Sequence, residues 1–402
     1  MERDHARTVL EWTESHLEQM AELTAELCQL ESPTGRPELQ EPVFERLADA
    51  FDQLDFETTR VPGRNTGGYL YARPRERSGN RPLQLLLGHC DTVWDEGTLS
   101  RRPIRREDGR LYGPGAFDMK GGLVQGLHAL WAVRALGLDL EVTPVFLINS
   151  DEEIGSPETT DAIIRLARHA DRALVLEPAL GPSGKLKTAR KSGGHFLIEV
   201  SGVSAHAGLE PEKGVSAVVE LSRLVQELHV MNDPERGISI NVGTIRGGDR
   251  ANVVADRCEA EVDVRVEHAE HMEQIREQIE ELRTDHENAE IEITARLGRP
   301  PMEFTERNRA LWKRAREAGG AIGIDLDHDL AGGSSDGNTA SRFAATLDGL
   351  GAVGAGAHAE HEHVLLEAMP ERTALLTLLL EGPPMCETAS ESESTTRTAT
   401  TA

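Results

Sequence analysis

The sequence predicts an α/β protein: a mainly parallel sheet covered by helices, with a ferredoxin-like α+β unit inserted into it. Three observations carry this. Helix-like and strand-like patterns alternate as far as about Leu176, as they do where a parallel sheet is covered on both faces. From Gly194 to Leu297 the rhythm becomes β-α-β-β-α-β, the split unit of ferredoxin-like folds. The first pattern then resumes near Phe304.

Taken in order, Asp4 to Leu30 has apolar residues at helical spacing (Leu17, Met20, Leu23, Leu27, Leu30). Ser32-Pro33-Thr34-Gly35 ends that helix. A second helix is expected over Pro42 to Leu54. Leu83 to Leu87 reads as a buried strand and runs into Gly88-His89-Cys90-Asp91-Thr92-Val93. The segment from Tyr112 to Gly122 is too rich in glycine and proline for regular structure, and Leu123 to Leu136 is a helix. The strand Val142 to Ile148 leads into Asp151-Glu152-Glu153, and the strand ending at Leu176 leads into Glu177-Pro178. Within the insert, strands are expected at Phe196 to Val200, Ile238 to Ile245, Arg257 to Val266 and Ala289 to Leu297. Its helices are Gly214 to Met231 and Glu267 to Thr284. The second is charged but too short for a coiled coil. The expected domains are 1–193, the insert 194–302, 303–382 completing the first domain, and an acidic Ser/Thr-rich tail, 383–402, unable to bury enough apolar area to order.

The chemistry-bearing residues sit at strand ends. Asp91, two residues after His89, lies on the same side of an extended chain and can accept a hydrogen bond from the ring nitrogen that is not on a metal. Taken alone, this pattern more often marks a histidine held in a loop. Asp118 lies where a loop meets a helix start. Asp151, Glu152 and Glu153 are adjacent carboxylates after a core strand and repel one another without a cation; the competing reading is a solvated acidic loop. Glu177 and His358 complete the set. Such groups meet where α/β folds bind ligands, at one edge of an open sheet.

Gly88-His89-Cys90-Asp91-Thr92-Val93, Gly113-Pro114-Gly115-Ala116-Phe117-Asp118-Met119-Lys120-Gly121-Gly122, Asp151-Glu152-Glu153-Ile154-Gly155-Ser156, Leu176-Glu177-Pro178, Ala205-His206-Ala207-Gly208 and Gly354-Ala355-Gly356-Ala357-His358 stand in an order that resembles one family. It is the zinc-dependent metallopeptidases that include aminoacylases, acetylornithine and succinyl-diaminopimelate deacylases and glutamate carboxypeptidases. The likeness runs from about Leu23 to Leu380 and is strongest to the folate-cleaving glutamate carboxypeptidases. It implies a zinc exopeptidase domain with two zinc ions. His89 and Glu177 would hold one, Glu153 and His358 the other, and Asp118 would bridge them. Glu152 would be the general base, Asp91 the partner of His89, and His206 would polarise the scissile carbonyl from a partner subunit. Asn252, Arg265 and Arg299 on the insert would hold substrate carboxylates, with Lys185 and Arg190 as further candidates. The insert would be a lid that makes a homodimer. The implied reaction is amide cleavage of a dipeptide or similar small molecule, releasing an amino acid with a free carboxylate. An N-acyl amino-acid deacylase or a non-catalytic binding relative are the alternatives. Imidazole and carboxylate sites also accept cobalt or manganese. The sequence departs from the family pattern at Ala359, His363 and Ser334, and His361 and His363 crowd the last ligand.

Composition adds limits. The net charge is -26 over 402 residues, which argues against nucleic acid as a partner. Only six of the 43 basic residues are lysine; with so much acid, this points to a halophilic surface. No run of about 18 apolar residues is present, so no membrane span is expected. The charged start Met1-Glu2-Arg3-Asp4-His5 has no apolar core after it, and Cys28, Cys90, Cys258 and Cys386 show no paired spacing. Both readings point to a reducing, cytoplasmic setting. Cys90, by strand alternation, faces away from His89 as a buried thiol.

Overall fold

The computed structural model describes residues 3–76 and 81–385, so Cys386 and most of the expected tail lie outside the described residues. The chain forms two units: residues 1–188 with 304–330 and 335–402, and residues 189–303 with 331–334.

The first unit is built on a six-stranded sheet. Its order is Phe56–Val61, Tyr69–Pro74, Thr143–Asn149, Leu83–His89, Ala170–Val175 and Ala345–Leu347. The last four strands run parallel. The first two pair antiparallel, one edge of the sheet departing from the parallel rule. Alternate residues of the central strands feed two cores. Leu86, Phe146, Ile148 and Leu174 pack with Phe51, Leu123 and Leu127. Leu85, Leu87, Val145, Leu147 and Val175 pack with Ile163 and Ala167. Burial on both faces is why these strands read as continuous apolar runs rather than alternating ones.

Two helix boundaries differ from the sequence expectation. The N-terminal helix is two, Arg3–Ser15 and Leu17–Gln29. At the break the His16 ring and the Ser15 hydroxyl both bond the Trp12 carbonyl, and the His16 amide turns to Thr13 instead. This side-chain competition with the helical ladder interrupts it. The next helix is Pro37–Gln53, with Pro42 inside it. Pro37, not Pro42, occupies the first turn, where a missing N–H costs nothing.

The second unit has the strand order Ser239–Gly247, Arg257–Val266, Ser192–Ser201, Glu290–Leu297, all antiparallel. With helices Ala217–Val230 and Ala269–Glu280 this is the β-α-β-β-α-β arrangement. Leu221, Leu224 and Leu228 from one helix and Met272, Ile275 and Ile279 from the other meet Phe196, Ile198, Val262 and Val264. The unit begins at Ala189 rather than Gly194 because its first strand starts at Ser192. Gly193 and Gly194, weak strand formers, are held in register with Arg265 and Val264. Among the described residues no helix is long and apolar enough to cross a membrane, and Cys28, Cys90 and Cys258 are buried free thiols.

One close approach links the core to the functional edge. The helix Gly121–Ala135 starts against the strand end at Leu176. A β-carbon on Gly122 would lie 2.1 Å from the Leu176 carbonyl oxygen. Backbone cannot yield as a side chain can, so Gly122→Ala should destabilise the fold by about 1–3 kcal/mol. An unchanged denaturation midpoint in urea would show that this contact does not constrain the helix.

Candidate metal centre

Parallel pairing brings the chemistry together. Because Leu83–His89 runs parallel to both neighbours, three strand ends emerge at one sheet edge. The first ends in His89. The second leads into the short turn Glu152–Ile154, and the third is followed by Glu177. Asp118 enters from the irregular turn Ala116–Lys120. His358 enters from the glycine-rich loop near the C-terminus with φ of 60°, a left-handed conformation that is strained for a residue with a β-carbon.

The side chains form two donor sets that share one carboxylate. His89 Nε2 lies 3.3 Å from Asp118 Oδ1 and 3.6 Å from Glu177 Oε1. His358 Nε2 lies 3.5 Å from Asp118 Oδ2 and 3.1 Å from Glu153 Oε2. Asp118 thus turns a different oxygen to each histidine, as a bridging ligand does. His89 Nε2 and Asp118 Oδ1 are both buried without a hydrogen-bond partner. Unmet polar atoms facing one another in a protein interior need an explanation, and a cation held between imidazole and carboxylate supplies it. Glu152 also has a ligand-capable oxygen within 4.8 Å of those of His89 and Glu177. Of the crowded histidines, His363 bonds the His361 carbonyl and rests against Tyr112, leaving His358 as the one that meets the acids.

The electrostatics favour positive charge. Bonds to Asp118 and Glu153 hold the His358 ring up at about 10. Burial alone would lower His89, but the facing carboxylates of Asp118 and Asp91 outweigh it and raise the ring well above its ordinary value. Asp118, despite burial, is held below the usual carboxylate range by the same two rings. Cys90 is fully buried, and burial pushes its thiol up to about 12, which suits a core thiol.

Two buried carboxylates hold the site in shape. The His89 Nδ1 lies 3.1 Å from the Asp91 carbonyl and 3.3 Å from its Oδ1. The Asp91 carboxylate also accepts from the amides of Glu152 and Glu153, at 3.2 Å each, and from Thr34 Oγ1 at 2.7 Å. One residue thereby orients a histidine and the turn carrying both glutamates. The second is Glu362, which sequence reasoning missed. It is 1% exposed and accepts from the amides of Gly115, Phe117 and Asp118 and from Trp94 Nε1. It clamps the turn that presents Asp118, and burial pushes its carboxyl up to about 7 in spite of those donors.

The residues expected to bind substrate separate into groups. In the second unit, His206 and Asn252 are exposed and lie on paired segments, with the Ala207 amide donating to the Asn252 carbonyl. The His206 Nδ1 accepts from the amides of Gly208 and Leu209. A neutral ring must then carry its proton on Nε2. Arg265 and Arg299 lie at the other end of the same sheet. Arg265 is opposite Gly193, and the Gly298 amide donates to the Gly193 carbonyl. The strand between the two ends has 10 residues, about 30 Å at strand rise. Arg265 is paired with Asp263 at 2.9 Å. The Lys185 ammonium is engaged by Asp327 and Asp329 at 3.2 and 3.1 Å. The lysine whose charge acts on Asp118 is Lys187, which is buried. Arg190 is buried and donates to the Gly333 carbonyl.

The profile of peptidase family M20/M25/M40 matches residues 85–382. Carboxypeptidase G2 of Pseudomonas sp. (strain RS-16) is 29% identical over 364 residues, covering 88% of this chain and 86% of that protein. Acetylornithine deacetylase of Proteus mirabilis (strain HI4320) is 30% identical over 242 residues, 56% of this chain and 60% of that one. Among solved structures, aminopeptidase PepT from Bacillus cereus ATCC 10987 superposes with a TM-score of 0.78 at 22% identity, covering 91% of this chain and 98% of that chain.

Glu362→Gln should weaken metal binding about 10- to 100-fold, the usual effect of removing a group that orients ligands. An amide in place of the carboxylate turns a donor toward backbone N–H groups. Competition against a chelator at fixed pH measures this, and equal affinities in variant and wild type would show that the clamp does not set the Asp118 position.

Proposed function

From the peptidase family M20/M25/M40, to which this chain belongs, we propose a dinuclear metal hydrolase that cleaves an amide bond to release an amino acid with a free carboxylate, in the manner of a glutamate carboxypeptidase. The observation that carries this is the pair of donor sets sharing Asp118 through its two oxygens. His89 and Glu177 would hold one cation, Glu153 and His358 the other, with Asp118 between; zinc suits these donors. Two divalent cations there would supply electrophilic polarisation of the scissile carbonyl and acidification of water.

The chain's own residues do the rest. Glu152 takes a proton from the attacking water and passes it to the departing nitrogen, so one buried carboxylate serves as base and then as acid. Asp91 holds the turn that aims it. His206, with its Nδ1 committed to two amides, presents Nε2–H as a donor to the carbonyl oxygen. Asn252, Arg265 and Arg299 hold the carboxylate of the released amino acid, arginine offering a two-point fork. Their separation to two ends of one sheet supports a homodimer in which the two groups serve different copies of the metal centre. A deacylase acting on N-acyl amino acids would use the same machinery with a different acyl pocket, and the acetylornithine deacetylase relative keeps that reading open.

One experiment tests base and dimer together. Glu152→Gln should keep its metal and lose about 100- to 10,000-fold in turnover. His206→Ala should also be nearly inactive with metal retained. Mixing equal amounts under subunit exchange should restore about a quarter of wild-type activity, since half the dimers are mixed and each holds one intact site. Loss of metal from Glu152→Gln would make Glu152 a ligand, and absence of recovery despite demonstrated exchange would count against the shared site.

The acid-rich, lysine-poor composition supports, within the same proposal, a cytoplasmic enzyme adapted to high salt. General repulsion is already screened near 1 M, where the Debye length is about 3 Å. A melting temperature that continues to rise between about 1 and 3 M potassium chloride is therefore expected from ion binding by the acidic surface. A flat curve above about 0.2 M would remove the halophilic reading.

A further inference from the structure

A cavity of about 660 Å³ opens beside His358 within the first unit. Arg101, Arg102 and Arg105 line it together with Trp94 and Tyr112, and the acids on its wall are Asp95 and Glu360. The fold sets these arginines against the His358 loop. Arg105 pairs with Tyr112 in the small sheet, and Tyr112 pairs with His363. The Arg102 guanidinium stacks on Trp94 at 4.1 Å, and its Nη2 donates to the carbonyl of Ala359, the residue after His358. Trp94 is itself bonded to Glu362, the clamp of the Asp118 turn. The arginine wall and the metal centre are therefore parts of one rigid assembly.

The charge on this wall is not used up internally. Asp95 and Glu360 are exposed, and neither forms an ion pair with these arginines among the described residues. Arg101 has no hydrogen bond or ion pair among the described residues, and Arg105 has only a distant, exposed pairing with Glu107 at 3.5 Å. Arg102 Nη1 is enclosed without an acceptor, a cost that a nearby anion relieves. In a chain of net charge -26, most of the surface repels anions. Three guanidinium groups facing two exposed acids beside His358 are then a local reversal of field that draws an anion into this cavity.

We propose that this cavity binds the acyl side of the substrate and selects an acyl group ending in a carboxylate, which Arg101 and Arg105 receive and the field of Arg102 stabilises. The proposal rests on the hydrolase reading above, in which the residues of the second unit take the carboxylate of the amino-acid side. The cavity of the first unit is then left for the acyl side. The preferred substrate class is an amide with an anion on each side of the scissile bond.

The test uses the metal-loaded full chain and two substrates matched in length, N-glutaryl-L-glutamate and N-valeryl-L-glutamate. The glutaryl compound should have the higher kcat/KM by about tenfold, through KM, as one charge-assisted contact provides. In Arg101→Ala/Arg105→Ala the ratio should fall toward one, and in Arg101→Lys/Arg105→Lys most of it should remain. A wild-type ratio of one or less, or a ratio untouched by the alanine pair, would overturn the proposal. Both arginines are exposed, and an unchanged melting temperature confirms the fold of the variants. If neither amide is cut, the hydrolase reading fails, and calorimetry with glutarate monoamide against valeramide still reads the cavity. A preference for the monoamide that the alanine pair abolishes sustains the anion site, and equal binding overturns it.

Discussion

The constraint on which the rest depends is the meeting of Asp118, Glu152, Glu153 and Glu177 at one largely buried edge of a parallel sheet. Like charges in such a place raise one another's energy unless positive charge stands among them. Two histidines are not enough unless both are protonated, and these same acids raise both rings above the ordinary histidine value, His358 to about 10. A site whose acids press both imidazoles toward their charged form favours cations. Replacing two protons by two dications satisfies the same carboxylates and frees neutral imidazole to act as ligand. The buried and unpartnered Nε2 of His89 and Oδ1 of Asp118 mark the same demand from the hydrogen-bonding side.

Holding that charge in place takes a surrounding layer as specific as the ligands. Asp91 accepts two consecutive amides on the turn of Glu152 and Glu153, and Glu362 accepts three amides on the turn of Asp118. Each fixes backbone, so the acids cannot move apart to relieve their repulsion. Gly122, pressed on the Leu176 carbonyl, does by steric fit what those carboxylates do by hydrogen bonding. It ties the helix after Asp118 to the strand before Glu177.

The strand-end residues were legible in the sequence because parallel pairing turns a local pattern, apolar run then acid, into a spatial one. His89, Glu153 and Glu177 fall together for that reason, and Asp118 and His358 join them from a turn and a glycine-rich loop. The inserted unit was legible from its change of rhythm, and its strand order agrees with the split β-α-β unit. Glu362 was not legible. Its partners are backbone amides almost 250 positions earlier, and an amide leaves no signature in side-chain identity. The partners of Lys185 were also hidden, because Asp327 and Asp329 lie distant in sequence. The separation of His206 and Asn252 from Arg265 and Arg299 was also hidden, since only the register of Ser192–Ser201 with Arg257–Val266 assigns them to opposite ends.

Global and local electrostatics act here at different ranges, and the site depends on the second. Net charge of -26 sets a long-range field that repels an acidic substrate in dilute salt, but at about 0.15 M the Debye length is about 8 Å. An anion that arrives within that distance of the sheet edge responds mainly to the groups lining it. There, metal cations at the paired donor sets and guanidinium groups at the adjoining wall would present the same sign. The overall charge can therefore suit solubility in salt while the cavity suits anions. The two properties are written in different residues: Arg102 and Arg105 are held on this wall by stacking on Trp94 and Tyr112, whereas the excess acid is spread over the rest of the chain.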